Sequence, residues 1–343
     1  MAIQHELTLS ETKKVVAASL KAGITPILKS QPGVGKSALI NQIAKERNLE
    51  VIDVRLSQCD SSDLLGIPNF NGKKASYHPM DIFPLEGDPI PEGKKGWVLF
   101  LDELGNAETD VMKAAYKVVY DRMIGNQKIH DKCYIVCATN READGCFVNP
   151  MPAALKSRLL HINVRLDVQE WLRYAAENAL DGRILSFIAW DNGMLATNFV
   201  DSGEESYGCP RSWEAVSKYI KDIEDLNDPL VTAAIAGLVG TAQQIKFTSF
   251  FKYFKKIPTY EDVVKNPAKA KLNKDDLGCV WASIGMLLNN YQEKDTKQVV
   301  EYVLRMNAEH QYAFAKLSVL RQPKLLHNKE AMKLTTQLMD ELE

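Results

Sequence analysis

The run Ser30-Gln31-Pro32-Gly33-Val34-Gly35-Lys36-Ser37 decides how this chain folds. It follows a short apolar stretch, residues 24–28. It precedes Ala38, Leu39, Ile40, Ile43 and Ala44, which recur at helical spacing. A strand, a glycine-rich turn and a helix are predicted in that order. The eight residues match G-x-x-x-x-G-K-[ST] at each fixed position except the first, where Ser30 stands. Gly33 and Gly35 allow successive backbone N–H groups to turn inward around phosphate oxygens, a path that a Cβ would obstruct. The helix starting near Lys36 aims its positive end at the same anion. Gln31, Pro32, Gly33, Val34, Gly35, Lys36 and Ser37 are thus the expected phosphate cradle. Lys36 reaches the β- and γ-phosphates of ATP, and the Ser37 hydroxyl helps hold Mg²⁺.

A second motif lies downstream, Trp97-Val98-Leu99-Phe100-Leu101-Asp102-Glu103. Five apolar residues read as a buried strand, and two carboxylates emerge at its carboxyl end, where open α/β sheets place ligands. Asp102 is the expected partner of Mg²⁺, through water. Glu103 is the expected group that polarises a water for attack on the γ-phosphate. A glutamate beside the aspartate favours water as nucleophile, and therefore hydrolysis over transfer to a metabolite.

Outward from these motifs, the spacing predicts a helix over residues 10–22 with Ser10 as N-cap and Gly23 as stop. Strands are expected at 50–56, 133–139 and 159–164, and a helix at 109–120. Residues 60–95, rich in Gly, Pro, Asn and Asp, read as loops and short elements. Strands alternating with helices imply an α/β fold, a parallel sheet sandwiched by helices. After about residue 166 only helical patterns remain, at 168–180, 183–190, 211–223 and 229–245. Residues 246–343 are also helix-like, with a polar joint at 257–274. The expected organisation is a nucleotide-binding domain at 1–166, a helical lid at 167–245 and a helical extension at 246–343.

The 343 residues are 45% hydrophobic and 25% charged, the balance of a globular protein. With 42 basic and 44 acidic residues, no global positive field exists to hold a polyanion. The six cysteines form no C-x-x-C pair and read as reduced, partly buried thiols. No export signal is visible at the start, and the longest apolar stretch, residues 230–242, is too short to span a bilayer. A cytoplasmic location without membrane insertion is expected.

With these blocks in view, the sequence resembles AAA+ ATPases, P-loop proteins, and most closely the MoxR-like branch with its dynein-related neighbours. The resemblance covers roughly residues 8–225. Besides the two motifs it rests on Asp63-Leu64-Leu65-Gly66, Cys137-Ala138-Thr139-Asn140, Pro152-Ala153-Ala154-Leu155-Lys156-Ser157-Arg158-Leu159 and Cys209-Pro210-Arg211-Ser212-Trp213. It implies that Asn140 is a sensor residue holding the attacking water. It implies that Arg158 is an arginine finger reaching the nucleotide of a neighbouring subunit, with Arg141 the alternative. Arg211 becomes a second sensor opening a lid helix. A finger supplied in trans implies a ring, six-membered in the family. The resemblance further implies a chaperone-like remodelling ATPase acting on a protein target. It also implies a partner carrying a von Willebrand factor A domain, and small stand-alone versions resembling this chain occur in bacteria and phages.

Two other readings stay open, a DNA-associated motor or helicase loader and a low-turnover regulatory scaffold. Lysines interleaved with aromatics over 246–274 suit single-stranded nucleic acid. However, Phe247, Phe250, Phe251 and Phe254 fall at i, i+3, i+4 and i+7, which favours a buried helical stripe. Nucleic acid is thus possible but not favoured. Tyr77 to Met80 and Ile82 to Pro84 either project toward a ring pore or form an ordinary surface excursion. His310 and His327 read as surface residues.

Overall fold

Period-two burial builds the central sheet. Ile27, Leu99, Leu101, Ile135 and Cys137 enter one core cluster, and Leu28, Val98, Phe100, Val136 and Ala138 enter another. Successive strand residues point to opposite faces, so a strand covered on both sides must be apolar throughout. That is why these strands read as unbroken apolar runs. A computed structural model of the chain describes residues 5–71, 74–141, 148–197 and 205–334. The chain divides into two compact units, Met1–Asp167 and Val168–Glu343.

In the first unit the order is β1 (Glu6–Leu7), α1 (Leu9–Lys21), β2 (Pro26–Ser30), α2 (Lys36–Arg47) and β3 (Glu50–Arg55). A short α3 (Ser61–Leu65) leads into the hairpin of β4 (Ile67–Asn71) and β5 (Lys74–His78). Then come β6 (Trp97–Asp102), α4 (Thr109–Tyr120) and a small ribbon of β7 (Met123–Ile124) and β8 (Gln127–Lys128). The unit ends with β9 (Cys133–Asn140), α5 (Ala153–Lys156) and β10 (Leu160–Val164). The sheet order is β1-β10-β2-β9-β6-β3, and every neighbouring pair is parallel. Helix α4 buries Val111, Ala114, Ala115, Val118 and Val119 against one face, and α1 and α2 cover the other.

The N-cap of α1 is Thr8, not Ser10. Thr8 Oγ1 accepts from the Glu11 amide, and Glu11 Oε2 accepts from the Thr8 amide at 2.8 Å. A capping box needs its acid three residues after the cap, and Glu11 stands in that relation to Thr8 alone. Residues 60–95 hold the β4–β5 hairpin, whose Phe70 and Tyr77 are exposed. Phe83, in contrast, is buried in the core.

The second unit consists of helices Val168–Glu177, Gly182–Trp190, Pro210–Ile220, Pro229–Val239, Thr241–Phe251, Tyr260–Lys265, Leu277–Asn290, Thr296–Val303 and Ala308–Arg321. The expected single helix over 229–245 is two helices, divided at Gly240 with φ +89° and ψ 155°. The polar joint contains Tyr260–Lys265, stabilised by a Thr259–Asp262 capping box. Only Tyr260 and Val263 of that helix are buried, too few to show a period in the sequence. Phe247 and Phe250 are buried and meet the Phe187 ring at 5.1 and 5.6 Å, so their faces are spent on packing. His310 is buried rather than on the surface. It lies edge-on to Trp281, and burial lowers its pKa from the ordinary value. The stripe is His310, Phe314 and Leu317, which a polar residue at its head conceals. Among the described residues, no helix is long and apolar enough to cross a membrane.

Candidate nucleotide site

The loop between β2 and α2 has the backbone its glycines permit. Gly33 has φ +75° and Gly35 φ +110°, in the region that L-residues with a Cβ avoid. Val34 is buried among the α1–α2 side chains and anchors the turn. No side chain among the described residues caps α2, which leaves its first amides to an incoming anion. Lys36 is only 9% exposed. Its Nζ donates to Ser30 Oγ at 2.9 Å, Asn140 Oδ1 at 3.1 Å and the Gln31 carbonyl at 3.4 Å. Ser30, the departure from the motif, thus accepts from the lysine and donates onward to the Gln31 carbonyl at 2.7 Å.

Register brings the remaining groups to the same edge. Ser30 lies opposite Asn140 and Arg55 opposite Asp102, with β9 between β2 and β6. Ser37 Oγ donates to Asp102 Oδ2 at 3.4 Å. Octahedral Mg²⁺ holds oxygens at about 2.1 Å, so two adjacent ligands stand about 3 Å apart. This hydroxyl–carboxylate pair has the donor chemistry and nearly that spacing, and the ion fits it.

Glu103 follows with φ +58° and ψ 31°, rare for a residue with a side chain. Such backbone costs about 1–3 kcal/mol and persists where surrounding bonds enforce it. Here the Glu103 amide donates to Asp102 Oδ1 at 2.8 Å, and the Ser57 hydroxyl donates to the Glu103 carboxylate. Gly105 holds the next turn against β9. Its amide donates to Thr139 Oγ1 at 3.1 Å, and its carbonyl accepts from the Asn149 amide at 2.7 Å. A Cβ there would stand 2.3 Å from Thr139 Oγ1 and 2.6 Å from Val148 Cγ1. Gly105→Ala is therefore expected to displace the Glu103 turn, destabilise the chain by about 1–3 kcal/mol and reduce turnover. Thermal melting alongside phosphate release tests this. A melting point and rate equal to those of the parent chain would remove the packing argument.

Sequence reasoning missed Ser57, Gly105 and Asp53. Asp53, on β3, has its carboxyl raised above the usual range by partial burial and by the Asp102 carboxylate. Arg55 opposes the shift, and Glu103 adds to it. The fields of the three acids thus overlap, each disfavouring ionisation of the others. The one signal in the sequence was an acid in the middle of the strand-like alternation of residues 50–56.

The arginines have other surroundings, each within its own unit. Arg141 pairs with Glu6 at 2.5 Å. Arg158 is exposed, donates to Ser157 Oγ at 3.2 Å and lies over the Tyr120 ring. Its place follows from register. Leu160 at the start of β10 pairs with Pro26, the first residue of β2. Arg158 thus enters at the amino edge of the sheet, while the phosphate loop leaves at Ser30. Four strand rises of about 3.3 Å separate those edges. Arg211 is exposed in the first turn of the second unit's Pro210–Ile220 helix. Burial pushes the Cys133 and Cys137 thiols up to about 12, away from the reactive thiolate. Cys146 lies outside the described residues.

Residues 26–159 match the AAA domain of the dynein-related subfamily. The Midasin of Giardia intestinalis is 28% identical over 232 residues, covering 63% of this chain. This chain spans only 4% of that protein's length. Among solved structures, NtrX from Brucella abortus aligns with 13% identity and a TM-score of 0.41, over 74% of this chain and 63% of that one. A RuvB mutant of Thermotoga maritima aligns with 18% identity and a TM-score of 0.38, over 83% and 87%.

Proposed function

We propose that this chain, whose residues 26–159 match the AAA domain of the dynein-related subfamily, is an AAA+ ATPase working as a ring in which each nucleotide is completed by the neighbouring subunit. The observation that carries this reading is the position of Arg158 at the sheet edge opposite its own phosphate loop. The side chain is too short to span the strand length, so it serves another protomer's nucleotide. A guanidinium there stabilises the charge that spreads over the γ-phosphate as the bond breaks.

Within one protomer, the loop amides from Gly33 to Ser37 and the Lys36 ammonium hold the phosphates. Glu103 accepts a proton from the attacking water while Asn140 orients that water. Ser37 and Asp102 would hold Mg²⁺, which would supply neutralisation of phosphate charge when bound. Ser57 fixes the Glu103 carboxylate. Arg211 senses the same nucleotide from its own chain as the helical region, residues 167–245, closes as a lid, followed by the extension from 246. The work done is remodelling of a protein target. The exposed apolar residues of the β4–β5 hairpin support a protein surface as the object, and a von Willebrand factor A protein is the partner class in view.

Mixing separates trans from cis action. Arg158→Ala protomers, without a finger, are expected to keep only a small residual rate, and Lys36→Ala protomers, without a nucleotide, to be inactive. In mixed rings the Lys36→Ala protomer offers its intact Arg158 to the intact site of its neighbour, so phosphate release should return. Mixed rings verified by native mass spectrometry that stay inactive would rule out this assignment.

A further inference from the structure

Arg158 does not hang free at the rim. Its guanidinium carbon lies over the Tyr120 ring, 4.4 Å from the ring centre, a cation–π contact. Tyr120 ends α4 and is half exposed, off the stripe that α4 buries. One turn earlier, Tyr116 stacks on it with ring centres 5.6 Å apart and planes at 21°. Tyr116 in turn packs against the core below the sheet. The three groups form a column running from the core to the surface, with the cation outermost.

We infer that Tyr120 is the positioning residue of Arg158, a platform that orients the guanidinium toward the neighbouring subunit's nucleotide before the two meet. The inference rests on the trans reading of Arg158 given above. A guanidinium over a ring offers it charge and not hydrogen bonds, so its N–H donors are left for other acceptors. Among the described residues one of them is engaged, to Ser157 Oγ, which is itself held by the Ala154 carbonyl at 3.0 Å. A carboxylate partner would orient an arginine equally well but would occupy the donors and cancel the charge. Arg141 shows that alternative, with its guanidinium on Glu6. An aromatic platform restricts the rotamers of a long side chain and leaves its charge and its donors for phosphate.

The test uses the full chain and steady-state phosphate release. Tyr120→Leu should lower kcat about three- to tenfold, with ATP affinity and melting temperature unchanged. Tyr120→Phe, which keeps the ring face, should restore kcat. In an Arg158→Ala background, Tyr120→Leu should have no further effect, whereas a merely structural tyrosine would lower the rate in both backgrounds. The defect should also act in trans. Mixing Tyr120→Leu with Glu103→Gln protomers should raise the rate per Tyr120→Leu protomer, because the neighbour then supplies an intact platform. A Tyr120→Leu chain as fast as the parent, or additive loss in the double variant, overturns the inference while leaving Arg158 in place. Arg158→Ala with unchanged kcat overturns the trans reading itself, and the platform with it.

Discussion

Glu103→Gln is expected to bind ATP as tightly as the parent chain and to hydrolyse it about 10²- to 10⁴-fold more slowly. The substitution keeps the size and planarity of the group and removes only its basicity. At 298 K the loss corresponds to about 3–5 kcal/mol of barrier, the usual share of one positioned acid–base group. Binding should survive because the phosphates are held elsewhere, by the loop amides and by Lys36 between Ser30 and Asn140. The turn should survive too, since the Asp102 carboxylate caps the residue-103 amide whatever its side chain. Calorimetric titration with ATP and single-turnover phosphate release separate the two effects. Loss of binding would show that Glu103 is structural, and undiminished release would show that another group activates the water. Asp53 is the nearest rival. Its raised pKa marks a carboxyl inside the same field, although its strand, β3, lies at the far side of β6 from the phosphate loop.

What the sequence disclosed follows from how local each signal is. The phosphate loop is eight consecutive residues, and its two positive-φ glycines can be read from composition alone. The strands of β6 and β9 are legible because both faces are covered, which forces five or more apolar residues in a row. Asp102 is legible as the first polar residue after such a run. The contacts that orient the chemistry are another matter. Ser57 meets Glu103 across 46 residues of chain, and Lys36 meets Asn140 across 104. No period or spacing encodes such distances. Gly105 looks like any turn glycine until Thr139 is placed against it. The platform under Arg158 requires the end of α4 and the approach to β10 to share one edge, which only topology determines.

Errors in the helical half have a similar source. Residues 229–245 contain no charged side chain, so the sequence offers no polar face by which to detect a break. A single glycine with positive φ divides the run. His310 shows the converse, a polar residue that packing against Trp281 draws inside. Residue type is a weak guide to burial where helix packs on helix, because each helix has only a stripe to hide and neighbours decide where the stripe falls.

The second large effect concerns stability. Arg183→Ala is expected to destabilise the helical unit by about 3–5 kcal/mol, the cost of leaving a buried ion without its partner. Asp181 caps the Gly182–Trp190 helix through the Arg183 amide at 2.8 Å, and its carboxylate takes the Arg183 fork at 2.6 and 3.0 Å. The arginine side chain is 11% exposed and the aspartate 6%. The same guanidinium donates to the Ile220 and Ile223 carbonyls at 2.7 and 2.6 Å, where the Pro210–Ile220 helix ends. Asn289 donates to Asp181 at 2.9 Å and ties in the Leu277–Asn290 helix. The arginine therefore joins two helices and Asp181 ties in the third, and removing the arginine side chain leaves the carboxylate without its cation and the Ile223 carbonyl without the donor described for it. Arg183→Lys should recover only part of the loss, because an ammonium cannot serve the carboxylate and both carbonyls in the guanidinium's planar geometry. Every tryptophan except Trp97 lies in this unit, so fluorescence-detected urea unfolding reports on it. A midpoint shift equivalent to less than about 1 kcal/mol, the range of an exposed pair, would mean that the cluster relaxes or takes in water instead of bracing the helices.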